Sequence, residues 1–448
     1  MAKQTEQSAL STARPFGFWT AVSLVIGNMI GTGIYLLPAS LARYGSLSLI
    51  GFALTALGAL CLAYVFAVLT VRNPQSGGPY THGQAVFGNL VGFLVAWGYW
   101  IMNWTGSAAT AIGIVSYLST FVPELVHNRL LAFEYGMVIV WSVTLINCLG
   151  LRFGGAVQVI LTSVKLIPLI IVPIAALFWF HPDNFFLSVG SAMDDGHTTF
   201  SAINAAAALA IWSFIGLEAA TVPADRIHSP EKTIARATIF GTALVALIYL
   251  FTNVALFGAI PIHTLATSAT PFVDVAKLAF GDYVAPIIAV CVIISGLGGI
   301  NGWILLHGQI PQVMAKDSLF PRQFLRTSAD GTPVLGLLVG SFLITLLMMA
   351  SYQDSLLQQF EMIITVGSVM TLFAYFISSL AALFLFKNTK TLGFKLICSL
   401  AIIYSLWAIG GAGSKVLTFC GLGYLIGIPL YLYVRHQVLS LKKLTKIC

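Results

Sequence analysis

Two ionisable side chains fall deep inside apolar stretches of this chain, Glu218 and Lys165. A charge in such surroundings faces a cavity or a partner. Glu218 closes the run Trp212-Ser213-Phe214-Ile215-Gly216-Leu217-Glu218. A carboxylate there can take up and release a proton or couple two conformations, or it can be a structural acid paired with a hydroxyl or backbone group. Lys165 lies in Thr162-Ser163-Val164-Lys165-Leu166-Ile167-Pro168. It reads either as an inward-facing ammonium, able to titrate or to stand where a sodium ion would, or as a side chain snorkelling about 10 Å to the edge of the run. Glu134 and Glu361 lie near the ends of apolar runs and read as interfacial.

A second chemical feature is Gly27-Asn28-Met29-Ile30-Gly31-Thr32-Gly33-Ile34, in the middle of the first apolar run. Each glycine costs about 1 kcal/mol of helix relative to alanine, so the cluster predicts unwinding. The alternative is close helix packing, because Gly27 and Gly31 have the spacing that lets two helices approach. If the helix breaks, a second half-helix starts near Gly31 to Gly33 with free N–H groups and a positive dipole end, which suits a carboxylate. The Trp212 to Glu218 run carries a matching interruption, with a serine, a glycine and an acid within two turns. Tyr99, Trp212, Trp303 and Tyr375 each sit beside small or polar residues inside apolar runs. They read as walls or gates that could stack on a cationic or apolar group, or as packing.

The elements that must position these groups are set by composition. Of 448 residues 58% are hydrophobic and 8% charged, with a mean hydropathy of +0.92, whereas soluble domains carry about a quarter charged residues. Runs of about 20 apolar residues, enough to cross roughly 30 Å of hydrocarbon as helix, predict twelve spans near 16–42, 47–71, 87–121, 131–150, 154–180, 200–222, 238–260, 283–308, 334–352, 359–386, 392–412 and 416–434. The fold class expected is an all-α integral membrane protein. The polar stretch 1–15 reads as a cytoplasmic tail without a cleavage pattern, and 435–448 as a basic cytoplasmic tail.

The net charge of +7 is explained by topology. Of the 22 lysines and arginines, only Arg43, Arg129, Lys277 and Lys415 fall outside and Lys165 within a span, if both termini are cytoplasmic. The bias is the positive-inside pattern. No basic face with interleaved aromatics lies outside the spans, so no nucleic-acid partner is expected. Cys61, Cys148, Cys291, Cys398 and Cys420 lie in apolar runs and Cys448 is terminal, with no CxxC spacing, so free thiols are expected and no metal site. The loop Asn73-Pro74-Gln75-Ser76-Gly77-Gly78-Pro79-Tyr80 signals a tight re-entry and lacks the GK[ST] of a phosphate loop. No hydrolase or ATP-binding motif occurs, so neither an enzyme nor a cofactor is expected. Interrupted first and sixth spans, at corresponding places in two five-helix sets, point to an inverted-repeat transporter with its site at the midplane. The repeats would occupy 16–180 and 200–386, with two further helices over 392–434.

The chain resembles the amino acid-polyamine-organocation superfamily, and within it the basic amino acid/polyamine antiporters, the group of arginine/agmatine, lysine/cadaverine and putrescine/ornithine exchangers. The resemblance rests on Gly27 to Pro38 (GNMIGTGIYLLP), Ser76 to Tyr80 (SGGPY), Trp212 to Glu218 (WSFIGLE), Gly302-Trp303 and Gly331 to Gly336 (GTPVLG). It implies a LeuT-type fold of two inverted five-helix repeats plus two helices, often dimeric, in a bacterial inner membrane. By resemblance, the backbone at Gly31, Thr32 and Gly33 holds a substrate carboxylate, and carbonyls near Met29 and Ile215 receive the α-ammonium. Trp212 covers the substrate, Tyr99, Trp303 and Tyr375 gate it, and Glu218 is the sixth-helix carboxylate. Where the arginine/agmatine exchanger contacts the distal side chain, this sequence has Asn103, Ser107 and Gly367. Lys165 is absent from those exchangers and is similar to a fifth-helix lysine of sodium-independent, proton-coupled transporters. The expected function is exchange of amino acids or amines; proton-coupled symport through Lys165 and a non-transporting amino acid sensor are the alternatives.

Overall fold

The computed structural model describes residues 17–72, 79–150, 155–186, 198–218, 229–387 and 391–444. The amino-terminal tail, the loop from Asn73 to Gly78, the sixth span beyond Glu218 and Cys448 lie outside them. The described residues are helical, with no strand among them. Eight helices are long and apolar enough to cross a membrane, or nine when one bent pair is taken as a single span.

That pair is α1 (Phe18–Met29) and α2 (Gly33–Ala42), bent by 52° across the glycine cluster. Helix α1 stops because Ile30 turns extended, with φ −83° and ψ 98°. Unwinding is therefore the outcome the three glycines produce. A side chain added at Gly27 or Gly31 would meet no atom within 4 Å, so this structure does not use that pair for close packing.

Helix α3 (Leu47–Arg72) follows, then α4 (Pro79–Phe87) and α5 (Asn89–Leu118). The third span, expected over 87–121, is α5, and Gly88, with φ +83°, separates it from the short helix before it. An L side chain strains that conformation, so the chain turns at its glycine. Helices α6 (Arg129–Cys148) and α7 (Gly155–Ala176) complete the first half. The second half opens with α8 (Thr199–Ala210), which tightens into a 3₁₀ turn over Ile211–Phe214 and ends. Then come α9 (Pro230–Ala259), the short α10 (Pro271–Phe280), α11 (Ala285–Lys316), α12 (Val334–Ser351) and α13 (Leu356–Leu385). Helices α14 (Leu392–Gly410) and α15 (Gly413–Leu444) close the chain. Residues 435–444, expected as tail, continue the last helix.

Helix α5 lies against both α11 and α13. It is 30 residues long and buried along most of its length. Its hydropathy falls below that of the eight spans because Asn103, Ser107 and Thr110 need face only protein. Helices α6, α11 and α12 are joined by a polar seam: Trp141 Nε1 donates to Thr345 at 3.1 Å, Thr144 and Ser341 share a hydrogen bond of 2.6 Å, and Asn147 donates to Asn301 at 2.8 Å. Such bonds hold helices together where lipid supplies no hydrophobic drive. Five described cysteines are free thiols.

Candidate substrate site

The two interruptions meet. Gly216, just past the 3₁₀ turn, has φ +100°, and a Cβ there would lie 3.0 Å from the Cβ of Asn28. Only glycine combines that backbone conformation with so close an approach. Between the broken segments lies a cavity of about 20 Å³, room for about one water. The sequence-predicted Met29, Gly31, Thr32, Gly33, Trp212, Ile215 and Trp303 line it. Asn28, Ile34, Thr110, Ser213 and Tyr249 line it as well. Thr110 was legible as the end of the stripe Asn103, Gly106, Ser107, Thr110 on one helical face. Tyr249, deep in the apolar run of α9, left no sequence signal.

The cavity offers donors and acceptors in separate places. The first N–H groups of α2 have no intrahelical partner, and no side chain caps them. The Thr32 and Ser213 hydroxyls are buried without a hydrogen-bond partner among the described residues, so both are available to a ligand. On the other side are the carbonyls of Met29 and Ile215. That of Met29 already accepts the Tyr249 hydroxyl at 3.0 Å, which leaves its second lone pair.

Lys165 faces inward, 8% exposed, and does not snorkel. Its Nζ donates to the carbonyls of Gly27 at 2.7 Å and Ile30 at 3.0 Å. The ammonium thus caps the carboxyl end of α1, where the helix dipole favours a cation.

Trp212 fills the space a larger ligand would take. A methyl at Gly33 would lie 2.3 Å from its Nε1, while one at Gly106 would lie 3.3 Å from Cη2 and one at Gly367 3.0 Å from Cζ3. The indole therefore spans from the break in the first segment to α5 and α13. Trp303 stacks on it, ring centroids 6.4 Å apart at 21°. Asn103 and Ser107 do not line the cavity in this state. Their side chains bond back along α5, Asn103 Nδ2 to the Tyr99 carbonyl at 2.6 Å and Ser107 Oγ to the Asn103 carbonyl at 3.0 Å.

Glu218, 1% exposed, accepts the Tyr99 hydroxyl at 2.7 Å and the Tyr375 hydroxyl at 2.6 Å, one on each carboxylate oxygen. It ties the broken sixth segment to α5 and α13 at once. Replacing it by glutamine removes one acceptor oxygen and the charge while keeping the shape. Charge-assisted bonds are about twice as strong as neutral ones, so Glu218→Gln is expected to slow transport about tenfold. An unchanged rate, measured by uptake, would show that transport does not depend on these two bonds. At the opposite end of α13, Glu361 pairs with Arg43, just beyond α2, at 2.6 Å. Glu134 is exposed on α6.

A model of the amino acid permease family matches residues 16–437, which takes in every element described above except the last seven residues of α15. The chain belongs to that family. The permease is thus an amino acid transporter of multi-pass membrane type, not an enzyme. Among its relatives, the cadaverine/lysine antiporter of Escherichia coli (strain K12) is 31% identical over 439 residues, covering 96% of this chain and 97% of the relative. The arginine/ornithine antiporter of Pseudomonas aeruginosa is 29% identical over 435 residues, 93% of this chain and 90% of that protein. A putative arginine/ornithine antiporter of Bacillus subtilis is 28% identical over 465 residues, 96% and 98% of the two chains.

Proposed function

We propose that the permease is an exchanger of a bacterial inner membrane, taking a cationic amino acid against its decarboxylated amine or another amino acid. The observation that carries this reading is the indole of Trp212, held over the break between Gly33 and Gly367 and leaving a water-sized space. A carrier that exchanges must close around its site between openings, and a broken segment covered by an aromatic ring supplies that closure. In this reading the N–H groups at Gly31 to Gly33 and the Thr32 hydroxyl take the substrate carboxylate, and the Met29 and Ile215 carbonyls take its ammonium. Trp212 and Trp303 stack on the side chain, a cation over an aromatic face being favourable by about 0.5–2 kcal/mol. Asn103, Ser107 and Gly367 come to the distal group once Trp212 swings away, and Tyr99 and Tyr375 gate through Glu218. The identity to antiporters of lysine and of arginine supports the substrate class. Twelve spans, both termini cytoplasmic, inverted repeats over 16–180 and 200–386, the helices of 392–434 and a homodimer complete the proposal.

Proteoliposomes test it. Labelled lysine, arginine or ornithine is expected to enter only vesicles preloaded with an amino acid or amine. The placement of Lys165 favours one second reading, proton symport, in which empty vesicles would fill under a pH gradient alone.

A further inference from the structure

We propose that the Tyr35 hydroxyl is a positioning group for the carboxylate cradle, because it binds the second half-helix to the residue that caps the first. The inference rests on the exchange reading above. Tyr35 is the third residue of α2 and is fully buried. Its hydroxyl donates to the backbone carbonyl of Lys165, whose ammonium donates to Gly27 and Ile30. One residue of α7 therefore staples both sides of the break, α1 through its side chain and α2 through its main chain.

The tyrosine is itself locked. Its N–H bonds the Thr32 carbonyl at 3.0 Å, closing the first turn of α2. Its carbonyl accepts the Tyr117 hydroxyl of α5 at 2.9 Å. The ring meets Phe272 edge-on, centroids 5.0 Å apart at 81°, and Tyr117 at 6.2 Å and 71°. The Phe272 N–H, at the start of α10, reaches the Tyr117 oxygen at 3.4 Å. A phenylalanine would satisfy the packing. The hydroxyl, which also lies beside that of Ser295 on α11, adds a bond to the staple, and that bond sets how far the N–H groups of α2 stand from the carbonyls that end α1.

A ligand that uses both sides of the break feels that distance; one without a carboxylate uses only the carbonyl side. Tyr35→Phe should therefore act on the amino acid and spare the amine. Affinity is measured in proteoliposomes and by calorimetry for lysine with cadaverine, arginine with agmatine, and ornithine with putrescine. For the pair the wild type exchanges, Tyr35→Phe is expected to weaken the amino acid about tenfold, the loss of one hydrogen bond, and to leave the amine within about twofold. Tyr404→Phe, which deletes a buried hydroxyl of α14 that bonds neither Tyr35 nor Lys165, is expected to leave that ratio near the wild-type value. Equal weakening of both ligands, no weakening of either, or the same ratio change in Tyr404→Phe would overturn the proposal. Wild-type protein that exchanges neither these pairs nor one cationic amino acid for another would instead overturn the exchange reading.

Discussion

Valine at position 33 is expected to cut transport about a hundredfold in a protein that still assembles and inserts. Gly33 opens α2 with a helical backbone, so the substitution meets no conformational barrier. The obstacle is contact. A Cβ there would stand 2.3 Å from Nε1 and 2.8 Å from Cδ1 of Trp212. The ring has little room to retreat, since its far edge faces Gly106 and Gly367 so closely that a Cβ added at either would stand 3.3 or 3.0 Å from it. Either the indole leaves its place or the break widens, and overpacking of this kind costs about 1–3 kcal/mol. Expressed on binding, that is roughly 10- to 100-fold, and two methyls reach the upper end. Exchange in proteoliposomes measures it, with tryptophan fluorescence reporting the displaced ring. Gly27→Ala is the control: nothing lies within 4 Å of its added carbon, and near-normal exchange is expected. A Gly33→Val protein that exchanges like the wild type would remove the site from the break.

The second large effect concerns Lys165. Methionine there keeps the stem and deletes the ammonium, leaving the Gly27 and Ile30 carbonyls without their cation. Hydrogen bonds to charged groups contribute about 1.5–3 kcal/mol each, so the end of α1 loosens and transport should fall about a hundredfold, with a lowered melting temperature. Arginine should not rescue it, because its larger, planar guanidinium must fit the buried space that a compact ammonium fills. For an exchanger the loss should be of similar size at acid and neutral pH. A loss confined to uptake driven by a pH gradient would assign the proton to Lys165 and favour symport.

Much of this was readable before any coordinates. Helical spans follow from composition, since a backbone in lipid must satisfy its own hydrogen bonds and this chain has too few charges to live elsewhere. The break was readable because three glycines in seven residues are costly to helix anywhere. That Glu218 and Lys165 would find partners inside the bundle was readable because charged groups in apolar runs demand them. Helix ends were less legible: an apolar run does not mark where hydrogen bonding stops, so the short α4 precedes the expected third span and the last helix extends to Leu444.

The sequence by itself determined that the chain spans a membrane and that its first span breaks at the glycine cluster, because both are local properties of composition and helix propensity. The tertiary structure alone decided who faces whom. It brought Lys165 to carbonyls 138 and 135 positions away, placed two tyrosines of different helices on Glu218, and aligned Tyr35 with the main chain of α7. Such pairings depend on the rotation and depth of each helix against its neighbours, which packing of the whole bundle sets and no local pattern of residues records.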